Sequence, residues 1–133
     1  MPDASLIPED IRVFLAAPRF ATLATLNNDG GPHQAITWYL LDGDALIVNS
    51  RQERRWPHNL QRDPRAHVAV HDHVQLGHWV GLQTRANVLR TGAAAIEDIA
   101  AMARRYGGDP DGFRGQSRIT FRLHIERSYE YWS

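Results

Sequence analysis

The sequence predicts one mainly β domain of the α+β class, an antiparallel β-barrel with short helices at its periphery. Its residues 1–133 fall in the usual size range of a single domain. Short strand-like segments recur along the chain, joined by tight turns rich in Gly, Asn, Asp and Pro. In the clearest segment, Ile119–Ile125, apolar and polar side chains alternate as in a half-buried antiparallel strand. Short strands and tight turns favour an antiparallel barrel over a doubly wound parallel sheet.

The first half of the chain predicts a helix followed by three strands. Pro8 is tolerated in a first helical turn, and the acidic Glu9 and Asp10 suit the helix dipole, so a short amphipathic helix runs to about Ala17. The three strands are predicted over Phe20–Leu26, His33–Leu41 and Ala45–Asn49. A short Asp-Gly-Asp turn makes the last two strands a hairpin.

The second half predicts a short helix, two strands, a longer helix and a final strand. Ser50 and Glu53 have the spacing of a capping box, but Pro57 inside a helix would cost roughly 3 kcal/mol. We therefore expect the short helix to begin at Arg54 or Arg55. The remaining elements are predicted over His67–His71, Trp79–Leu89, Ala93–Tyr106 and Ile119–Ile125.

Composition excludes several kinds of chemistry. The chain has no cysteine, which excludes disulfides and thiolate sites, and no lysine, which excludes Schiff-base catalysis. All 15 basic residues are arginine and they balance 15 acidic ones, so a nucleic-acid partner is not expected. No apolar run approaches the roughly 20 residues of a membrane span. The segment Met1–Ser5 lacks the features of a signal peptide, and we expect a cytoplasmic protein.

An ordered series of segments carries a family resemblance. It comprises Phe20–Leu26, Asp29–Pro32, Trp38, Asp42–Ser50, Arg54–Arg55 and Asn59–Arg65. The series resembles the pyridoxamine 5′-phosphate oxidase-like FMN-binding split β-barrels, and among them it looks most like the F420-dependent oxidoreductases. The resemblance implies a homodimer with the cofactor at the subunit interface. It also implies hydride transfer between coenzyme F420, a deazaflavin, and a small unsaturated or quinone-like substrate.

The same resemblance implies which residues bind the cofactor. Ile36, Thr37 and Trp38 would lie beside its ring. The phosphate, or the chain that links it to the ring, would meet Asn49, Ser50, Arg54 and Arg55. Independently, a helix N-terminus offers free N–H groups, and guanidinium groups can fork onto phosphate oxygens. The full set of cofactor-binding candidates is Ile36, Thr37, Trp38, Asn49, Ser50, Arg51, Arg54, Arg55, Asn59 and Trp79. No catalytic side chain is assigned.

Several of these residues have a second interpretation. Arg51, Arg54 and Arg55 also fit a solvated helix face beside Glu53. Trp79 equally suits a core or a dimer interface. The cluster His71, Asp72, His73 and His78 invites a metal site, but without a tight ligand signature we interpret these histidines as surface residues and predict no metal.

The chain departs from the family pattern at three positions. Trp56 stands where the family usually has a lysine, His58 replaces an arginine and Thr84 replaces a glycine. Cofactor choice therefore stays open between F420 and FMN. The alternatives are an FMN-dependent pyridoxamine 5′-phosphate oxidase-like reductase or oxidase, and a non-catalytic protein that binds flavin, deazaflavin or haem.

Overall fold

The fold is described here from a computed structural model, for residues 7–132. The segment Met1–Ser5, on which the expected cytoplasmic location depends, lies outside the described residues. The helices are α1 (Glu9–Ala16), α2 (Arg55–Arg62) and α3 (Gly92–Tyr106). The strands are β1 (Ala21–Leu26), β2 (Pro32–Thr37), β3 (Leu40–Asp42), β4 (Ala45–Arg51), β5 (Arg65–His71), β6 (Trp79–Thr91) and β7 (Arg118–Tyr131).

The seven strands form one antiparallel sheet in the order β2-β1-β5-β6-β7-β4-β3. The two edge strands, β2 and β3, are consecutive in the chain and are joined only by Trp38 and Tyr39. Three Cα–Cα steps span at most about 11 Å. The sheet must therefore curl until its edges nearly meet, and it forms a barrel that is split between β2 and β3. This confirms the predicted split β-barrel of the α+β class.

The prediction of one continuous strand over His33–Leu41 was wrong, because Tyr39 turns into the core. Its side chain is fully buried, and its hydroxyl donates to the carbonyl oxygens of Leu15 (3.0 Å) and Ala17 (3.1 Å). The backbone of Tyr39 bonds to the Tyr106 hydroxyl, which replaces a strand partner. Burial, followed by the neighbouring Tyr106, raises the pKa of Tyr39 well above its usual range.

The start of α2 agrees with the position that Pro57 predicted. The helix begins at Arg55, which places Pro57 in the first turn. The capping box of Ser50 and Glu53 does not form, because Arg54 is the N-cap and no side chain caps it. Strand β7 continues to Tyr131, beyond the predicted end at Ile125, since it pairs with β6 over nearly its whole length.

Two apolar clusters stabilise the fold. The larger fills the barrel and includes Leu23, Val80 and Phe121, and it extends to α1 and α2 through residues such as Leu15 and Trp56. The smaller packs α3 against β4 and is formed by Ile47, Ile99 and Met102. Because side chains occupy the barrel interior, a ring-sized ligand has to bind on its outside. In residues 7–132, no helix has the length and hydropathy needed to cross a membrane.

Candidate functional site

A cleft lies where the split in the barrel meets the N-terminus of α2. Its volume is about 340 Å³, at the lower end of the range for small-molecule sites. The residues that line it are Phe20, Ile36, Thr37, Trp38, Asn49, Ser50, Arg54, Trp56, Ile99, Phe113 and Arg118. We call it the β2–β4 cleft. Six predicted cofactor-binding residues come together here: Ile36, Thr37, Trp38, Asn49, Ser50 and Arg54.

The other predicted residues lie elsewhere. Arg55 and Asn59 line a separate polar cleft on the opposite side of α2. The Asn59 amide donates to Thr25 Oγ1 and Asn27 Oδ1, both at 3.0 Å, so it fixes α2 to the end of β1. Arg51 is an exposed side chain, 3.9 Å from Glu53. Arg55 and Asn59 therefore line a different cleft from Arg54.

Trp79 does not line the β2–β4 cleft and instead borders a groove on the sheet with Tyr129. Its ring stacks on Tyr131, with centroids 4.5 Å apart, and meets Tyr129 edge-on. The Tyr129 ring lies directly over Gly81, where any Cβ would come within 2.2 Å of the ring. The three aromatic rings therefore form a patch on the sheet that depends on the missing side chain of Gly81.

One half of the β2–β4 cleft is an apolar, aromatic wall. Phe20 and Ile36 are 47% and 74% exposed, an unusual position for large apolar side chains on a small protein. Trp38 stacks on Tyr106, with centroids 5.1 Å apart and planes within 8°. The Tyr106 hydroxyl donates to the Arg19 carbonyl oxygen at 2.6 Å, which fixes this stack. The wall is thus preorganised for contact with a flat ring.

The other half is cationic, and Arg118 is its centre. The Arg118 side chain is buried, and it donates from Nε to Asn49 Oδ1 (3.0 Å) and from Nη1 to Gln116 Oε1 (2.9 Å). No carboxylate within residues 7–132 lies at ion-pair distance from it. Burial, followed by repulsion from Arg54 and Arg51, lowers the pKa of Arg118 to about 10. A buried cation of this kind favours an incoming anion.

The N-terminus of α2 adds to this positive potential. Its N-cap residue, Arg54, lines the cleft, no side-chain cap is present and the first turn contains no acidic residue. The first turn thus lacks the acidic residue that often compensates the partial positive charge of a helix N-terminus. The Phe113 ring packs over the Arg118 guanidinium, and the Arg118 Cζ atom lies 5.2 Å from the centroid of that ring.

His71 and His73 are surface residues as predicted, but the prediction was wrong for His78, which is buried. Among residues 7–132, no group of three His, Asp or Glu side chains has a geometry that could hold a metal ion. His78 instead bonds to Glu130 Oε2 at 2.6 Å, and its ring stacks on Trp132 with centroids 3.6 Å apart. His78 thus connects the segment before β6 to the end of β7.

A pyridoxamine 5′-phosphate oxidase family model matches residues 7–132. The chain belongs to that family. The match concerns the sequence family and the fold. It confirms the resemblance from which the site residues were predicted. The sequence has no significant match among curated proteins.

Several solved structures have the same fold as the chain. A protein described as an F420 reductase superposes with a TM-score of 0.77 at 18% identity, covering 97% of this chain and 98% of its own. The conserved hypothetical protein Rv2991 from Mycobacterium tuberculosis gives 0.76 at 21%, covering 99% and 89%. HutZ, the haem storage protein of Vibrio cholerae, gives 0.72 at 21%, covering 96% and 94%. At these identities the similarity establishes the fold alone.

The predicted cofactor-binding set did not include five residues of the cleft: Arg118, Phe113, Ile99, Trp56 and Phe20. The sequence contains a signal for the first of these. Arg118 and Thr120 alternate with core residues at the start of β7, and α3 covers their face of the strand, so both are buried. Polar side chains on a covered face need partners, and this makes them candidates for a site. Trp56, which stands where the family usually has a lysine, is part of the hydrophobic core.

Proposed function

We propose that the protein binds coenzyme F420 in the β2–β4 cleft and acts as an F420-dependent oxidoreductase on a small unsaturated or quinone-like substrate. One observation carries the proposal. The cleft combines an aromatic wall with a buried arginine that has no carboxylate partner in residues 7–132. A ligand that joins a flat ring to a phosphate matches both halves. Coenzyme F420 and FMN are ligands of this kind.

The phosphate would bind at the cationic half. Arg118 is buried, so water competes little for its terminal nitrogens. Arg54, which also lines the cleft, adds a second guanidinium. Charge-assisted hydrogen bonds between guanidinium and phosphate are among the strongest in proteins. The ring would lie against Trp38, Ile36 and Phe20, which exclude water from one of its faces.

The chain itself contributes binding and orientation. No carboxylate or imidazole is found among the lining residues that the structure describes, so the cleft offers no acid or base with an ordinary pKa near neutrality. When bound, the deazaflavin supplies the hydride chemistry. The protein holds the ring in place, and Arg118 and Arg54 fix its anionic end.

A titration with F420 and FMN tests the cofactor assignment. We expect F420 to bind more tightly than FMN at matched ionic strength, as measured by fluorescence. The F420 preference is supported by the resemblance of the Asn49–Ser50 and Arg54–Arg55 segments, and by the similar fold of a protein described as an F420 reductase. Micromolar binding of FMN without a saturable F420 signal would instead assign the protein to the FMN-dependent alternative.

A non-catalytic carrier is the second candidate. It is favoured by the absence of acid–base groups from the described lining of the cleft, and by the similar fold of HutZ, a haem storage protein. Turnover separates the two candidates. An oxidoreductase that is supplied with an excess of reduced F420 or FMN reduces a quinone to the quinol over many turnovers, whereas a carrier binds F420, FMN or haem and produces no steady-state change.

We also propose that the protein is a homodimer. The wall residues Phe20 and Ile36 are exposed, as is Tyr131 at the edge of the aromatic patch on the sheet (49%). We expect a second copy of the chain to bury these surfaces in an interface, because closed twofold dimers are the commonest assemblies. Sedimentation at micromolar concentration should give twice the 15.1 kDa mass of the chain. A monomer at that concentration would contradict this proposal.

A further inference from the structure

A chain of hydrogen bonds joins Arg118 to a carboxylate on α3. Arg118 Nε donates to Asn49 Oδ1 (3.0 Å), and Asn49 Nδ2 donates to Thr120 Oγ1 (2.8 Å). The Thr120 hydroxyl donates to Asp98 Oδ2 (2.7 Å). Asp98 also accepts from Arg90 Nε at 2.6 Å, at the outer surface. The network therefore runs from the surface of α3, across β7 and β4, to the cleft.

The direction of each hydrogen bond is fixed by the chemistry of the groups. The ionised Asp98 carboxylate only accepts, so the Thr120 hydroxyl donates to it and accepts from Asn49. Asn49 Nδ2 also donates to the Ala95 carbonyl oxygen at 2.8 Å, which prevents the amide from rotating by half a turn. Its Oδ1 must then face Arg118. Asn49 and Thr120 are buried, so water does not compete for these bonds.

The middle of the network is neutral, unlike the direct partners of Arg122 and Arg90. Arg122, also on β7, pairs directly with Asp42 at 2.7 Å, and Arg90 pairs with Asp98. A carboxylate in direct contact with Arg118 would compete with an incoming anion for the guanidinium. The Asn49 amide oxygen orients the guanidinium by accepting one of its hydrogen bonds, and it does not neutralise the guanidinium charge. The Asp98 carboxylate is connected to Arg118 only through two neutral side chains, those of Thr120 and Asn49.

We propose that Asn49, Thr120 and Asp98 are positioning residues that hold the Arg118 guanidinium towards the cleft for an anionic group of the ligand. This inference rests on the proposed function, because it deepens the anion-binding half of the same site. The ligand group is a phosphate or a similar oxyanion, which suits the planar fork of the guanidinium. Thr120 is the decisive residue, since its hydroxyl is the group that connects Asn49 to the Asp98 carboxylate.

Calorimetric titration with inorganic pyrophosphate tests the inference. Thr120→Val keeps the shape of the side chain but breaks the network, and it should weaken pyrophosphate binding by about 10-fold. Thr120→Ser retains the hydroxyl and should stay within about twofold of wild type. Asp98→Asn removes the charge that polarises the network and should weaken binding by about threefold.

Asp42→Asn is the matched control, because it removes a carboxylate from another β7 arginine, Arg122, away from the cleft. It should leave pyrophosphate binding unchanged. The ¹⁵N–¹H signal of Arg118 Nε should move in Thr120→Val and Asp98→Asn but not in Thr120→Ser. A purely structural role for Thr120 would not produce this pattern.

Wild-type affinity in a folded Thr120→Val variant would overturn the inference. If that variant fails to fold, Asp98→Asn decides, since its side chain is 20% exposed and the change is isosteric. Failure of wild-type protein to bind pyrophosphate would also overturn it. The proposed function fails separately, when neither F420 nor FMN binds while pyrophosphate binding still depends on Thr120.

Discussion

Replacement of Arg118 by methionine should lower the affinity for the cofactor by about 100-fold, since a buried charge-assisted bond contributes roughly 1.5–3 kcal/mol. Methionine has a similar length and is apolar, so it removes the charge without opening a large cavity. The free energy of unfolding should change by less than about 2 kcal/mol, because relief of a desolvated charge offsets the lost bond to Asn49. Fluorescence titration with F420 or FMN, paired with thermal unfolding, measures both quantities.

Arg55→Ala is the control for this experiment. Arg55 follows Arg54 in sequence, but its side chain lies in the separate cleft on the other side of α2. We expect its loss to change the affinity by no more than about twofold, as for a solvated arginine. Arg54→Ala should have an intermediate effect. Equal losses in Arg55→Ala and Arg118→Met would show that the phosphate binds outside the β2–β4 cleft.

Replacement of Trp56 by lysine, the residue usual in the family, should destabilise the protein by about 3–5 kcal/mol. Trp56 is buried, and its ring centroid lies 5.8 Å from that of Phe121 in the barrel core. Lysine would leave a cavity in the core and bring an unpaired ammonium next to Arg54 and Arg118, the two cations that line the same cleft. Urea unfolding monitored by circular dichroism measures the change.

Trp56→Phe is the matched variant for this prediction. It preserves an aromatic contact with Phe121 and should cost about 1–2 kcal/mol, because only part of the buried area is lost. A Trp56→Lys protein with wild-type stability and tighter cofactor binding would refute our interpretation. In that case Trp56 would be a replaceable anion-site residue, and the core contact would contribute little.

The sequence predicted most elements because local patterns determine them. Strand β7 was visible in the alternation from Ile119 to Ile125, and Pro57 located the start of α2. The break between β2 and β3 was not visible, because it depends on Tyr39. The partners of Tyr39 are 24 residues away at Leu15 and 67 residues away at Tyr106. No local pattern records such distant contacts.

The candidate site was predictable only in part, for the same reason. The resemblance located the residues contributed by β2, β4 and α2, which are close in sequence. Arg118 lies 69 residues beyond its partner Asn49, on a strand that the resemblance did not assign to the site. Arg54 and Arg55 looked equivalent in sequence, yet Arg54 is the extended N-cap residue and Arg55 the first residue of α2, and their side chains line different clefts. Only the fold separates them.

The central position of β7 has a consequence for how the site is assembled during folding. In the sheet this strand lies between β6 and β4, although both precede it in the chain. Before residues 118–131 are added, the preceding strands can form only a four-stranded piece and a separate hairpin. Loop closure over long sequence separations makes this last pairing slow. Because β7 also contributes Arg118 and Thr120, a growing chain acquires its anion-binding site in the same step that completes its sheet.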